Sequence, residues 1–339
     1  MPTVLRPKTI MLGIVGDSAS GKTTLTRGLV ALFGEKNVSA ICCDAYHCYN
    51  RVQRKDKDIT ALHPDCNYID IMEQHFRLLR AGQPILKPVY NHSTGDFDPP
   101  EYIQPRQFVI VEGLLGLHTR AMRNCFDIRV YLNPPEALRR EWKINRDTFK
   151  RGYTREQVLA ALDQREPDSE AFIRPQRAKA DLVVQFSPPE DNLNETGGRL
   201  NARLVLRPTI PHPDLTDFLV SPPINGSKPP LQMALGRDEG KPADILEVDG
   251  TISAEKTAEL RDELRETLLP AHLHGKVPDA EIGIYYDGDG QRRQSYPLAL
   301  TQLLIAYHMI NAHDQLLQEG GHTRPDVLAS TSPELLPTN

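Results

Sequence analysis

Positive charge is in short supply in this chain. Lys and Arg number 40 against 45 Asp and Glu, leaving a net charge of −5. Such a balance lacks the clustered cations that phosphate backbones reward, so general nucleic-acid binding is excluded and any basic site must be local. Long apolar runs are missing too, and none reaches the ~18 residues of a membrane span. The segment 1–9 is too short and too proline-bearing for the apolar part of a signal peptide, so a cytoplasmic location is expected. Five cysteines cannot frame a disulfide-stapled fold in 339 residues. No internal repeat or low-complexity tract is present. Proline, by contrast, is plentiful at 28 residues. Hydrophobic residues make up 39% and charged residues 25%, the composition of a folded chain with room for one large domain or two ordinary ones.

Short apolar runs punctuate the first half. Ile10–Val15, Ser39–Cys43, Phe108–Val111, Phe126–Leu132 and Ala180–Phe186 read as strands. Helical spacing appears over Leu25–Phe33, Ile69–Leu79 (stopped by Gly82), Pro135–Lys150 and Thr154–Gln164. Thr154 with Gln157 three residues on is a capping box. Short buried strands alternating with helices predict an α/β fold with a parallel sheet covered on both faces. The pattern fails near Pro188, and the stretch 207–243, with eight prolines, reads as a loop-rich segment. Regularity returns at Ile245–Val248, helix Ala254–Leu269, strand Glu281–Tyr286 and helix Leu298–Ile310. The expected division is a core over 8–190, a C-terminal extension packed on it over 191–318, and a flexible tail over 319–339.

The segment Gly16-Asp17-Ser18-Ala19-Ser20-Gly21-Lys22-Thr23, followed by Thr24, fits the phosphate-loop pattern in full, with a strand before it and a helix after. Its glycines let backbone N–H groups wrap a phosphate at a helix N-terminus. Lys22 can reach the outer phosphates of ATP, and the Thr23 hydroxyl can ligate Mg²⁺. An acidic partner is expected at a neighbouring strand end, where Glu112 and Asp44 both stand. This much specifies only a nucleoside triphosphate handled with Mg²⁺. A small-molecule kinase and a nucleotide-hydrolysing switch both remain open.

The segment Asp44 to Arg51 offers a carboxylate, an imidazole (His47) and a guanidinium within eight residues. Asp44 could be the base beside an attacking hydroxyl. Arg51, Arg54, Lys55 and Lys57 form a local cationic cluster suited to a phosphorylated acceptor, although a solvated basic face has the same composition. Tyr90, Asn91 and His92, stiffened by Pro88, make a second polar group. Arg139, Lys143 and Arg146 share one face of the charged helix and could neutralise charge over ATP. An exposed helix laced with charge pairs fits that spacing equally. Cys42, Cys43, Cys48 and Cys66, with His47 and His63, match no metal template.

Taken together, the phosphate loop, the Arg51–Asp98 stretch, Trp142-Lys143-Ile144 with Arg146-Asp147, and Arg165-x-Pro167-Asp168 resemble the phosphoribulokinase/uridine kinase family. The likeness is good over about 10–186 and patchy beyond. The loop does not separate the family's branches. Asp-Ala-Tyr-His at 44–47, Tyr-Asn-His at 90–92 and Arg-x-Pro-Asp at 165–168 resemble the enzymes of ribulose 5-phosphate; a uridine kinase would show Asp-x-Phe-Tyr and Tyr-Asp-Phe types instead.

The resemblance implies a P-loop kinase core, its mostly parallel sheet extended to a mixed sheet by the C-terminal part. It implies ATP-dependent phosphorylation of D-ribulose 5-phosphate at the C1 hydroxyl, in the Calvin cycle. Uridine/cytidine kinase activity is the alternative, and a non-catalytic nucleotide switch or scaffold is the alternative of another class. By the same resemblance, Asp44 takes the proton, Lys22 and the loop hold ATP, and Thr23 and Glu112 serve Mg²⁺. His47, Arg51, Arg54, Lys55, Tyr90, His92 and Arg165 position the sugar phosphate, Asp168 is a second active-site carboxylate and Arg146 a lid cation. A homodimer joined at sheet edges is implied as well. Photosynthetic members pair a loop cysteine with one at the second strand. Here the positions are Ser20 and Cys42, so that thiol switch cannot form, and no cysteine follows Cys125.

Overall fold

The computed structural model of the protein describes residues 9–215, 231–251 and 282–318, with a few isolated positions between 229 and 266. In chain order the core runs β1 (Ile10–Gly16), α1 (Lys22–Phe33), β2 (Val38–Cys42), α2 (Arg51–Asp56), α3 (Ile69–Arg80), β3 (Ile85–Asn91), β4 (Asp96–Ile103), β5 (Phe108–Gly113), α4 (Arg120–Arg123), β6 (Ile128–Leu132), α5 (Glu136–Arg151), α6 (Arg155–Asp168) and β7 (Leu182–Ser187). There follow β8 (Asn201–Leu206), β9 (Leu231–Asp238), β10 (Lys241–Val248), β11 (Ile284–Tyr286), β12 (Arg292–Gln294) and a long final helix, α7 (Tyr296–Gln318).

Eight strands form one sheet in the order β2-β5-β1-β6-β7-β8-β10-β9. The first five are parallel, as the apolar runs require. From β7 onward the pairing turns antiparallel, so the C-terminal part makes the sheet mixed. Every residue of β1 is buried, and the pleat sends alternate side chains to opposite faces. Ile10, Leu12 and Ile14 pack with Leu25 and Leu29 of α1 and with Leu303 of α7. Met11 and Val15 pack with Met72, Phe76 and Leu79 of α3 on the other side. α7 is buried nearly all round over its first four turns, which explains why its sequence is apolar without a polar stripe.

Two segments depart from the sequence reading. Residues 231–238, inside the stretch expected to be irregular, form β9. The turn that closes its hairpin is Glu239-Gly240, both with positive φ (51° and 78°) between register partners Asp238 and Lys241. That is a two-residue hairpin of the primed kind, and proline density around it hid the signal. The β3–β4 hairpin was likewise read only as a polar segment. Its second strand, Asp-Phe-Asp-Pro-Pro-Glu-Tyr-Ile, is exposed along nearly its whole length, so it carries no alternation to recognise. The helix expected over 254–269 and the tail over 319–339 fall largely or wholly outside the described residues.

Candidate active site

The phosphate loop leaves the carboxyl end of β1, between β5 and β6, the place where open α/β sheets form a ligand crevice. A Cβ at Gly16 would lie 2.6 Å from the Leu132 carbonyl oxygen, so only glycine lets the loop start this close to β6. Gly21 takes φ 97° and opens α1. The Lys22 ammonium donates to the carbonyls of Gly16 (2.9 Å) and Asp17 (2.7 Å), which holds it over the loop. Ser20 Oγ is buried without a hydrogen-bond partner among the described residues. The Thr23 hydroxyl donates to Glu112 (3.1 Å), and Thr26 donates to its other oxygen (3.4 Å). Burial pushes the Glu112 carboxyl above its ordinary range, with Lys22 opposing. A hydroxyl beside a desolvated carboxylate, with ATP phosphates to complete an oxygen shell, fits Mg²⁺.

Asp44 sits in a one-turn helix, Cys43–Tyr46, directly after β2. Cys42 and Glu112 are register partners, so the two carboxylates stand on adjacent strand ends. Among the described residues no hydrogen bond or ion pair ties the Asp44 carboxylate. His47 is buried, with Nδ1 2.8 Å from Asn67 Oδ1. Burial draws its imidazole down to about 4, while the Asp44 charge opposes the shift. Tyr90 meets His47 edge-on at 4.9 Å and His92 at 5.0 Å. Arg54 donates to Tyr90 Oη (2.6 Å) and to the Tyr49 carbonyl (2.9 Å). Arg51 donates to the His92 carbonyl at 2.5 Å. Lys55 points into solvent on the outer face of α2.

Cations converge from the other side. Lys143 Nζ lies 2.6 Å from Asp147, Arg146 Nε 2.8 Å and Arg151 Nη1 3.5 Å. The cations hold Asp147 down to about 2, although its burial opposes them. Burial, reinforced by Arg146 and Arg165, draws Lys143 down to about 7. Arg165 is depressed chiefly by burial and feels Arg54, Arg146 and Arg151 as like charges. His92, lowered mainly by burial, is pulled one way by Asp44 and the other by Arg151, Arg146 and Arg54. Two arginines and a lysine therefore contact one carboxylate, Asp147, while Arg54 is held by Tyr90 and the Tyr49 carbonyl on the acceptor segment. Such a surplus of desolvated positive charge is what a bound dianion offsets.

The charged helix is not simply the exposed alternative: Arg139 and Lys143 are buried, while Arg140 pairs with Glu136 and Asp163, and Glu136, Lys150 and Arg151 are exposed. Arg146 reaches Ser18 Oγ at 3.5 Å. Asp168 accepts a 2.5 Å hydrogen bond from Thr60, whereas the carboxylate on which Lys143, Arg146 and Arg151 converge is Asp147. Sequence reasoning did not single out a role for Asp147, Thr60, Asn67 or Ser169. Only Asp147 left a signal, standing four residues after Lys143 and next to Arg146 on one helix.

A family model described as "Phosphoribulokinase / Uridine kinase family" matches residues 11–192. Phosphoribulokinase of Synechocystis sp. is 32% identical over 330 residues, covering 92% of this chain and 96% of that protein. Chloroplastic phosphoribulokinase of Arabidopsis thaliana is 35% identical over 221 residues, 59% of this chain and 55% of that one. Among solved structures, phosphoribulokinase from Rhodobacter spheroides shares the fold, with a TM-score of 0.54 at 20% identity over 79% of this chain and 98% of that one. The match takes in the phosphate loop, the acceptor segments and both charged helices at once, so the chain belongs to the phosphoribulokinase/uridine kinase family.

Proposed function

We propose that the protein transfers the γ-phosphoryl group of ATP to the C1 hydroxyl of D-ribulose 5-phosphate, giving ribulose 1,5-bisphosphate and ADP in the Calvin cycle. The observation that carries this reading is the gathering of cations beside the acceptor segment: Lys143, Arg146 and Arg151 on the single carboxylate of Asp147, and Arg54 and Arg51 on Tyr90 and the His92 carbonyl. A nucleoside acceptor brings no phosphate of its own and leaves that charge unmatched.

The loop amides and Lys22 hold the β- and γ-phosphates. Mg²⁺ at Thr23 and Glu112 supplies neutralisation of the triphosphate charge when bound. Asp44 accepts the proton of the C1 hydroxyl as its oxygen attacks the γ-phosphorus. The bond from that phosphorus to the β–γ bridging oxygen breaks, and ADP leaves. Charge spreads over the transferring group in flight, and Arg146, next to Ser18 of the loop, stabilises it. Arg51, Arg54 and Arg165 anchor the 5-phosphate, while His47, Tyr90 and His92 shape the sugar seat. Lys55, exposed on α2, serves only long-range attraction of the anionic acceptor.

The same proposal extends to a cytoplasmic homodimer joined at a sheet edge. In its support, β9 is an edge strand and its Leu235 is 81% exposed. No described helix is long and apolar enough to cross a membrane. The test of function is product identity. Incubation with Mg·ATP and ribulose 5-phosphate is expected to yield a new phosphomonoester at C1 by ³¹P and ¹³C NMR. ADP formation with inorganic phosphate as the sole other product would make the protein a hydrolysing switch instead.

A further inference from the structure

α6 ends in an unusual way. Pro167 interrupts its last turn, and a π-helical turn, Ser169–Ile173, follows directly. A single π turn set against an α-helix re-aims side chains and often marks a functional position. Here two consecutive residues at that junction reach to opposite halves of the active-site crevice.

Ser169 is 2% exposed and donates a short hydrogen bond to Asp17 Oδ2 in the phosphate loop. The other oxygen of Asp17 accepts from the Ser18 N–H at 2.7 Å and faces Arg139 at 3.6 Å. Asp17 is thus the strut that sets the loop backbone, and Ser169 holds the strut. Asp168 accepts from Thr60 Oγ1 at 2.5 Å, and the same hydroxyl accepts from the Leu62 N–H at 3.1 Å. The turn so fixed carries the Ala61 and His63 carbonyls, to which Asn67 donates at 3.1 and 2.9 Å, and Asn67 meets His47. Ser18, Leu62, Arg165 and Ser169 line one cleft, so the two chains of contacts meet there.

We infer that Asp168 and Ser169 are positioning residues that couple the nucleotide side to the acceptor side through one rigid turn. One oxygen of the Asp168 carboxylate is engaged by Thr60. Order imposed on the phosphate loop by a nucleotide is passed through Asp17, Ser169, Asp168 and Thr60 to the turn that holds Asn67 and His47. By reciprocity, the acceptor tightens nucleotide binding by the same factor. The acceptor half of this inference rests on the proposed sugar-phosphate reading; the nucleotide half does not.

The test compares the wild type with Thr60→Val, Thr60→Ser, Ser169→Ala and the double variant Thr60→Val/Ser169→Ala. Affinity for a non-hydrolysable Mg·ATP analogue is measured by calorimetry, and the Michaelis constant for ribulose 5-phosphate by ADP release. Thr60→Val, which touches nothing in the phosphate loop, is expected to weaken analogue binding by about fivefold, and Ser169→Ala to raise the acceptor constant by a similar factor. The double variant is expected to be no worse for analogue binding than the worse single one, because both cut one path. Thr60→Ser retains the hydroxyl and is expected to bind as the wild type does, which separates the hydrogen bond from general damage. Single variants that each disturb only the substrate of their own side, with effects that multiply in the double, would overturn the coupling. Absence of wild-type turnover with ribulose 5-phosphate would sink the proposed activity, and the analogue affinities would still decide the coupling.

Discussion

A carboxylate that takes a proton needs an unencumbered oxygen, and among the described residues no hydrogen bond or ion pair ties the Asp44 carboxylate, in keeping with the proposed base. Glu112, one strand away, differs: both its oxygens accept from hydroxyls of α1, which suits a metal-facing role. The division of labour between these two acids was open in the sequence, because both follow apolar strands. The family resemblance divides them, and their different hydrogen bonding is consistent with that division. Asp44→Asn is expected to lower turnover by about three orders of magnitude while leaving Mg·ATP affinity within a factor of about two. Single-turnover kinetics and calorimetry check the two halves separately. Loss of ATP binding in that variant would reassign Asp44 to the nucleotide side.

Elements differ in how much of them the sequence displays. The five parallel strands were readable because burial on both faces gives continuous apolar runs. The Thr154 capping box was readable because two side chains satisfy two orphan N–H groups in a fixed spacing, and the structure contains both bonds. β8, the β3–β4 hairpin and β9 were missed where turn chemistry or exposure, not hydrophobic period, decides the structure. The pairing of α1 with α7 could not be seen either, since more than 250 residues separate them. At that contact Gln302 is fully buried and accepts from the Gly283 N–H at 2.7 Å, while its amide donates to the Thr24 carbonyl at 3.4 Å. A Cβ at Gly28 would lie 2.0 Å from that amide, and Gln302 cannot swing away without losing both bonds. Gly28→Val is therefore expected to cost about 1–3 kcal/mol by chemical denaturation. An unchanged unfolding midpoint would show that α7 docks by other contacts.

The molecule as a whole carries imidazoles that fold in the neutral form. His308 of α7 is buried beside His212, with ring nitrogens 3.4 Å apart, and burial draws it down to about 3. His47 is drawn down to about 4 for the same first reason. In the unfolded chain both titrate near the ordinary 6.5. Between these values the unfolded state binds more protons, so stability is full above about pH 6.5 and falls as the pH drops toward 4. Each such group is expected to remove about 2 kcal/mol between pH 7 and pH 5. Asp147, held near 2 by its cations, contributes stability present above its unfolded value near 3.8, which is lost only as the pH falls below that. Urea unfolding of the wild type and His308→Phe across this range checks the sign: the variant is expected to show the shallower decline from pH 7 to pH 5. Equal slopes would mean that His308 charges freely in the folded state.

The proposed seat for the acceptor's phosphate draws on α2, α5, α6 and the β3–β4 hairpin together. Initial rates of ADP release measured side by side with ribulose 5-phosphate, unphosphorylated ribulose and uridine test it most directly. The expected result is a specificity constant for ribulose 5-phosphate at least about a thousandfold above either other acceptor, the loss incurred when a desolvated charge cluster goes unmatched. Comparable constants for ribulose 5-phosphate and uridine would contradict the account.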